Sequence, residues 1–184
     1  GFYADAQLNA NFLNVDYNAP ALGAGVTASA DSTSVGVLAN TGYRIQNGWG
    51  FIEPIVSLNY VNTSIGSMTG GNATVDFSNG QSLQAGAGGR IGTTFGTPGG
   101  TKTEVSLLGK VWNEFEDANT VTITDNLGNT ASFSDSISGV FGEIAATATI
   151  YAPNRAWSSF VTGGAKFNSD FTSWNAKAGI RTAF

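Results

Sequence analysis

The sequence predicts an all-β protein: an antiparallel, up-and-down transmembrane β-barrel with about eight strands in this chain. Three observations predict it. Apolar and polar residues alternate with period two along most of the 184 residues, as strands with two unlike faces require. The longest apolar stretch, Ile144 to Ala152, is about half of what a spanning helix needs. Charged residues make up 11% of the chain, less than half the usual share of about 25% for a soluble domain.

Each strand follows from its own alternation. The first sets Phe2, Ala4, Ala6, Leu8, Ala10 and Phe12 against Tyr3, Asp5, Gln7, Asn9 and Asn11. The second, near 33–45, sets Val35, Val37, Ala39, Thr41, Tyr43 and Ile45 against Asn40 and Arg44. The third, near 49–61, sets Ile52, Pro54, Val56, Leu58 and Tyr60 against Glu53, Ser57 and Asn59. Proline lacks the ladder N–H, so Pro54 predicts a bulge or a missing ladder bond. The fourth, near 81–96, sets Leu83, Ala85, Ala87, Ile91 and Phe95 against Gln84 and Arg90.

The fifth, near 101–116, sets Val105, Leu107, Val111 and Phe115 against Lys102, Glu104, Lys110 and Glu114. The sixth, near 137–151, sets Val140, Ile144, Ala146, Ala148 and Ile150 against Glu143, Thr147 and Thr149, with Phe141 out of phase. The seventh, near 157–167, sets Trp157, Val161, Ala165 and Phe167 against Ser158, Thr162 and Lys166. The eighth, 171–184, sets Trp174, Ala176, Ala178, Ile180 and Phe184 against Asn175, Lys177 and Arg181.

Connections alternate in length. Gln46 to Gly48, Gly96 to Gly100 and Pro153 to Ala156 read as short turns, and 16–32, 62–79 and 117–136 as long loops. Asn168 to Asp170 is short and departs from the pattern. Bacterial barrels place short turns at one end and longer loops at the other. Thr120 to Phe133, turning at Asn126 to Asn129, reads as a hairpin above the membrane.

Alternation alone leaves open which face meets lipid, since a lipocalin-like barrel alternates too. Three features choose the bilayer. Phe2 and Phe12, Trp157 and Phe167, and Trp174 and Phe184 are each ten residues apart on the apolar face. Ten tilted strand steps cover roughly 25 Å, the height of an outer-membrane apolar band between its aromatic girdles. Strand charges all share the polar face: Asp5, Arg44, Glu53, Arg90, Lys102, Glu104, Lys110, Glu114, Glu143, Lys166, Lys177 and Arg181. A lipid-facing charge near the midplane costs about 2–4 kcal/mol, whereas opposite charges inside can pair across strands. The long-loop side carries Asp16, Asp31, Asp76, Glu116, Asp117, Asp125, Asp135 and Asp170, and the other end carries Arg155.

The same composition narrows function. Without cysteine there is no disulfide or thiolate chemistry, and without histidine the commonest general base is missing. The net charge of −5 argues against a nucleic-acid surface. Gly86, Gly88, Gly89 and Gly92 sit in a strand with no helix after them, so a sheet bend or a close approach is expected there, not a phosphate loop. Asp125, Asn126 and Asn129 lack the ligand count and terminal Glu of a calcium loop. No cofactor or metal is expected. Gly1 leads directly into a strand pattern with no visible signal peptide, so either processing removed one or the chain is a piece of something longer.

The opening Gly1 to Leu8, the Gly48 to Tyr60 segment, Ser82 to Gly92, the V-W-N-E-F of Val111 to Phe115 and the closing K-A-G-I-R-T-A-F together resemble a known family. It is the C-terminal translocator barrel of bacterial autotransporters (type V secretion), and the resemblance runs over nearly the whole length. It implies an outer-membrane translocator that supports secretion or surface display of an N-terminal passenger. Its implied partners are outer-membrane lipid, the barrel-assembly machinery, and its own passenger and linker helix. In the final strand Lys177, Gly179 and Phe184 match the assembly signal, while Thr182 stands where a larger hydrophobic is usual.

The family barrel has twelve strands around an α-helix, and this chain resembles the last eight. At least four more strands and a helix are therefore expected upstream of Gly1. By the same resemblance Glu53, Glu114 and Glu143 are the lumen acids to test for linker cleavage. The alternative is a complete small barrel acting as an adhesin or envelope-stabilising protein. Barrel proteases and acyl-transferases share the architecture but generally use His.

Overall fold

The computed structural model describes residues 1–18, 27–97, 99–116, 119–135, 139–153 and 156–182. Among them every regular element is a strand: β1 (Phe2–Asn18), β2 (Thr27–Tyr43), β3 (Ile45–Asn47), β4 (Gly50–Ile65), β5 (Met68–Gly70), β6 (Ala73–Phe77), β7 (Gly80–Gly96), β8 (Lys102–Glu114), β9 (Asn119–Asp125), β10 (Thr130–Asp135), β11 (Gly139–Tyr151), β12 (Trp157–Phe167) and β13 (Thr172–Thr182). Eight long strands form one curled antiparallel sheet in the order β1-β2-β4-β7-β8-β11-β12-β13, with β3 also on β4. Each neighbour in space is the next long strand in sequence, which is the up-and-down arrangement. Both described chain ends lie beside the short turns. The sheet is open, because among the described residues β1 and β13 do not pair.

The register gives the sheet its barrel shear. One line of paired residues runs from Tyr3 through Gly42, Ile55, Gly88, Lys110, Glu143 and Lys166 to Ser173. Tyr3 is one residue from the short-turn end of β1, whereas Ser173 is nine residues from that end of β13. Little more than one residue of stagger per pairing, at about 3.3 Å per residue and 4.8 Å between strands, tilts the strands by about 40°, within the range of closed barrels.

Amphipathicity is inverted relative to a water-soluble sheet. On β4 the buried side chains include Glu53, 1% exposed, and Ser57, while Ile52, Val56 and Leu58 are exposed. Leu107 on β8 is 56% exposed and Ile180 on β13 is 75% exposed, with Val161 likewise outward. Water around such a wall would expose roughly 25 cal/mol for every Å² of that apolar surface. Hydrocarbon exposes none of it, so a bilayer is the solvent that this face fits.

One expectation is narrowed and one corrected. At Pro54 the ladder to β2 lapses after the Gly42–Ile55 pair and resumes at Ile45–Ile52 in the same register, so a bond is missing and no bulge forms. On its other side β2 continues the β1 ladder, and the Gly1 carbonyl accepts from the Arg44 N–H at 2.8 Å. Phe141 does not break the phase of β11. It shares the inward face with Glu143 and is buried there.

The described residues of 16–32 and the segment 62–79 form strands where loops are expected. β1 and β2 stay paired out to Asn18–Thr27, because a backbone ladder needs no apolar alternation once it stands in water. The segment 62–79 finishes β4 and then builds β5 and β6. The expected hairpin appears as β9 and β10, and β6 joins it into a second sheet, β10-β9-β6-β5. At its turn Asp125 accepts from the Asn129 side chain and from the Asn129 and Leu127 N–H groups. Those bonds hold its carboxyl below the usual aspartate range.

Candidate functional site

The inward wall of the long strands carries the charged residues that the sequence singles out. Nearest the short turns, the Glu53 carboxylate accepts from Tyr3 Oη at 2.9 Å, Arg44 Nε at 2.6 Å and Arg90 Nη1 at 2.6 Å. Arg44 also reaches Glu104 at 3.0 Å and lies over the Phe51 ring at 3.8 Å. Two strands, β1 and β7, and the β2–β3 link thus converge on one buried anion of β4. Arg44 stands opposite it in the register that continues from β2 into β3, Arg90 is its direct neighbour on β7, and Tyr3 reaches it across Gly42, where a Cβ would meet the phenol ring at 2.8 Å.

In the middle of the wall, Lys110 Nζ donates to Ser57 Oγ at 2.7 Å and to Asn40 at 3.4 Å, and Asn40 Nδ2 donates to Asp5 at 3.0 Å. At the buried end of this run of bonds Ser57 needs such a partner because water is excluded there, whereas the Asp5 end is exposed. Further toward the long loops, Trp112 is 2% exposed and stacks on Phe141 with ring centroids 6.3 Å apart. Its Nε1 donates to Glu143 at 2.6 Å, and the Lys110 and Lys166 ammonium groups each lie 5.1 Å from its ring. A Cβ on Gly86 would fall 2.6 Å from that ring. At the long-loop end Glu114 accepts from Ser82 Oγ at 2.6 Å, Gln84 Nε2 at 2.9 Å and the Leu83 N–H at 2.8 Å.

On the last two strands Arg181 lies 4.2 Å over the Phe160 ring, and Gly179 leaves the space that this ring fills. Lys102 and Lys177 are exposed on the inward face. Thr182 closes β13 opposite Trp157. Phe2, Phe12, Trp157, Phe167 and Trp174 point outward with the aliphatic residues and are all exposed. Phe184, Asp117 and Arg155 lie outside the described residues.

The structure does not gather Glu53, Glu114 and Glu143 into one acid cluster. Each is bound by a different set of donors at a different height. Among the described residues no group of three or more metal-ligating side chains occurs. The arrangement can hold a polar segment by hydrogen bonds and ion pairs. Tyr3, Asn40, Ser57, Ser82, Phe51 and Phe160 had drawn no functional reading, although their parity with the charged residues was visible. The glycines answer close approach by rings of the sheet itself: Gly86 faces Trp112, and a Cβ on Gly92 would meet Phe51 at 2.6 Å.

An inverted, sheared, up-and-down sheet with an ionic inner wall is the architecture of outer-membrane β-barrels. The autotransporter β-domain family matches residues 1–164. The chain belongs to that family. Among curated proteins no match is found. Membership places this autotransporter β-domain in the bacterial outer membrane with the translocator role of its family, a role that is not catalytic. Its exposed aliphatic band is then the lipid face, and the Glu53 and Trp112 networks line the side turned from lipid.

Proposed function

We propose that this autotransporter β-domain supports the secretion or surface display of an N-terminal passenger, with a linker helix held against the inner wall. The observation that carries the proposal is where the wall is bare. Glu53, Ser57 and Trp112 in the middle of the sheet are buried, whereas Asp5, Gln7, Asn9 and Asn11 on β1 and Asn175 and Lys177 on β13 are exposed. The edges of β1 and β13 have no strand partner among the described residues, and an unpaired strand edge in hydrocarbon costs several kcal/mol for each polar backbone group. Further strands of the same protein, closing a twelve-strand barrel, satisfy both edges and leave room for a polar segment. Eight strands closed alone would leave an interior that side chains just fill.

In this reading the short turns and both described ends face the periplasm, and the acidic long loops face outward. Lys177, Gly179, Thr182 and Phe184 are the signal read by the barrel-assembly machinery. Phe2, Phe12, Trp157, Phe167, Trp174 and Phe184 anchor the two interfaces. Expression of the full gene with an epitope tag upstream of Gly1 tests the proposal. Protease added to intact cells removes the tag if the passenger is displayed. A tag retained in the periplasm, or a mature protein that starts at Gly1, overturns it.

A further inference from the structure

Above the membrane the inverted pattern turns over again. In the sheet β10-β9-β6-β5 the hydroxyl side chains share one face: Thr120 bonds Ser134 and Thr122 bonds Ser132, each at 3.1 Å, with Thr74 and Asp76 alongside. The other face is apolar. Phe133, Val121 and Phe77 stand in one cross-strand row, and Ile123, Val75 and Met68 in the next. Phe77 and Val121 line a cavity of about 380 Å³ together with Val61, Thr63 and Ile65. Those β4 residues are on the inward face, since Thr63 donates to Ser34 on the same side as Asn40 and Ser57. The apolar face is therefore turned over the pore, and the hydroxyl face is turned away from it.

Only part of this face is covered. Met68 is buried, but Phe133 is 62% exposed at its outer strand. β10 also has a free backbone edge, because it pairs with β9 alone among the described residues. The Asp125 N–H donates to the Asn129 carbonyl at 3.0 Å, so antiparallel alternation directs the N–H and C=O groups of Thr130, Ser132 and Ser134 to the free side. Before its closing Asp135, β10 carries no charge or proline, two of the devices with which proteins guard an edge.

We infer that β10 is a strand-addition site: an extended segment of this chain's own passenger, leaving the pore, pairs with the free edge of β10 and covers Phe133 and Ile123 with its apolar side chains. The inference rests on the proposed translocator reading. Sidedness selects the occupant. A second copy in the same bilayer would approach from outside the wall and meet the hydroxyl face, whereas a segment threading the lumen emerges against the apolar one. Main-chain bonds supply most of the affinity in strand addition, so the site accepts many sequences with alternating polarity.

Hydrogen exchange on the full-length protein in outer-membrane vesicles tests this. With the segment in place, the Ser132 and Ser134 amides exchange at least about tenfold more slowly than free-peptide rates. Ser132→Pro removes one free-side N–H and no bond to β9, so it returns the Ser134 amide to fast exchange while Val121 and Ile123 stay protected. Phe133→Thr keeps the edge intact and lowers the Ser134 protection through lost apolar cover. Fast exchange at Ser132 and Ser134 with the passenger displayed at the surface overturns the strand-addition inference alone. Failure to display any upstream segment overturns the translocator reading and this inference with it.

Discussion

Replacing Glu53 with Gln tests whether the buried anion organises the inner wall. Glu53 is 1% exposed and holds two guanidinium groups, each at 2.6 Å, with a tyrosine hydroxyl. Breaking a buried ion pair from one side costs about 3–5 kcal/mol, because the abandoned partner stays desolvated. Here the Arg44 and Arg90 side chains are 29% and 33% exposed, so water partly resolvates them, and Arg44 keeps Glu104. Roughly 2–3 kcal/mol of lost stability is therefore expected. Glu104→Gln removes a single contact from an arginine that retains Glu53, and should cost at most about 1 kcal/mol. Pairing Glu53→Gln with Arg90→Met removes the stranded cation and should recover part of the loss. Urea titration of the full-length protein folded into liposomes, followed by tryptophan fluorescence, measures all three. Equal effects for Glu53→Gln and Glu104→Gln would refute the assignment of Glu53 as the organising anion.

Leu107→Lys places a charge mid-strand on the outward face and should cost about 2–4 kcal/mol in liposomes, whereas Leu127→Lys at the exposed β9–β10 turn should stay within about 0.5 kcal/mol. Similar effects at the two positions would mean that the aliphatic band does not meet lipid. Gly86→Ala drives a methyl group to 2.6 Å from the Trp112 ring and should cost about 1–3 kcal/mol with a shift in tryptophan emission. Gly163→Ala enters open space and should be neutral or stabilising by a few tenths of a kcal/mol, so a larger loss at Gly163 than at Gly86 would contradict the ring-to-glycine packing.

Period-two alternation made the eight long strands and the phase of each readable, and the aromatic spacing with the segregation of charge added which face meets lipid. It worked because a bilayer imposes its contrast on every second residue, so Leu107 and Lys110 declare their sides without knowledge of any neighbour. Phe141 was the residue misread by that rule. An aromatic on the inward face looks like a phase error until Trp112 is seen beneath it.

Partners were not readable. Tyr3, Arg44, Glu53 and Arg90 come from separated parts of the chain, and they meet only because the registers of three successive pairings align them. The sheet made by β5, β6, β9 and β10 was half visible, as a hairpin at 120–133. Within 62–79 period two is confined to Ala73–Phe77, where Val75 and Phe77 alternate with Thr74 and Asp76, a run too short to announce a second sheet by itself. Its strands became definite only when β6 found the edge of β9. Local alternation in the sequence therefore determined which way each side chain points, while only the tertiary structure decided what it touches, because direction repeats every two residues and contact depends on the ladder across strands.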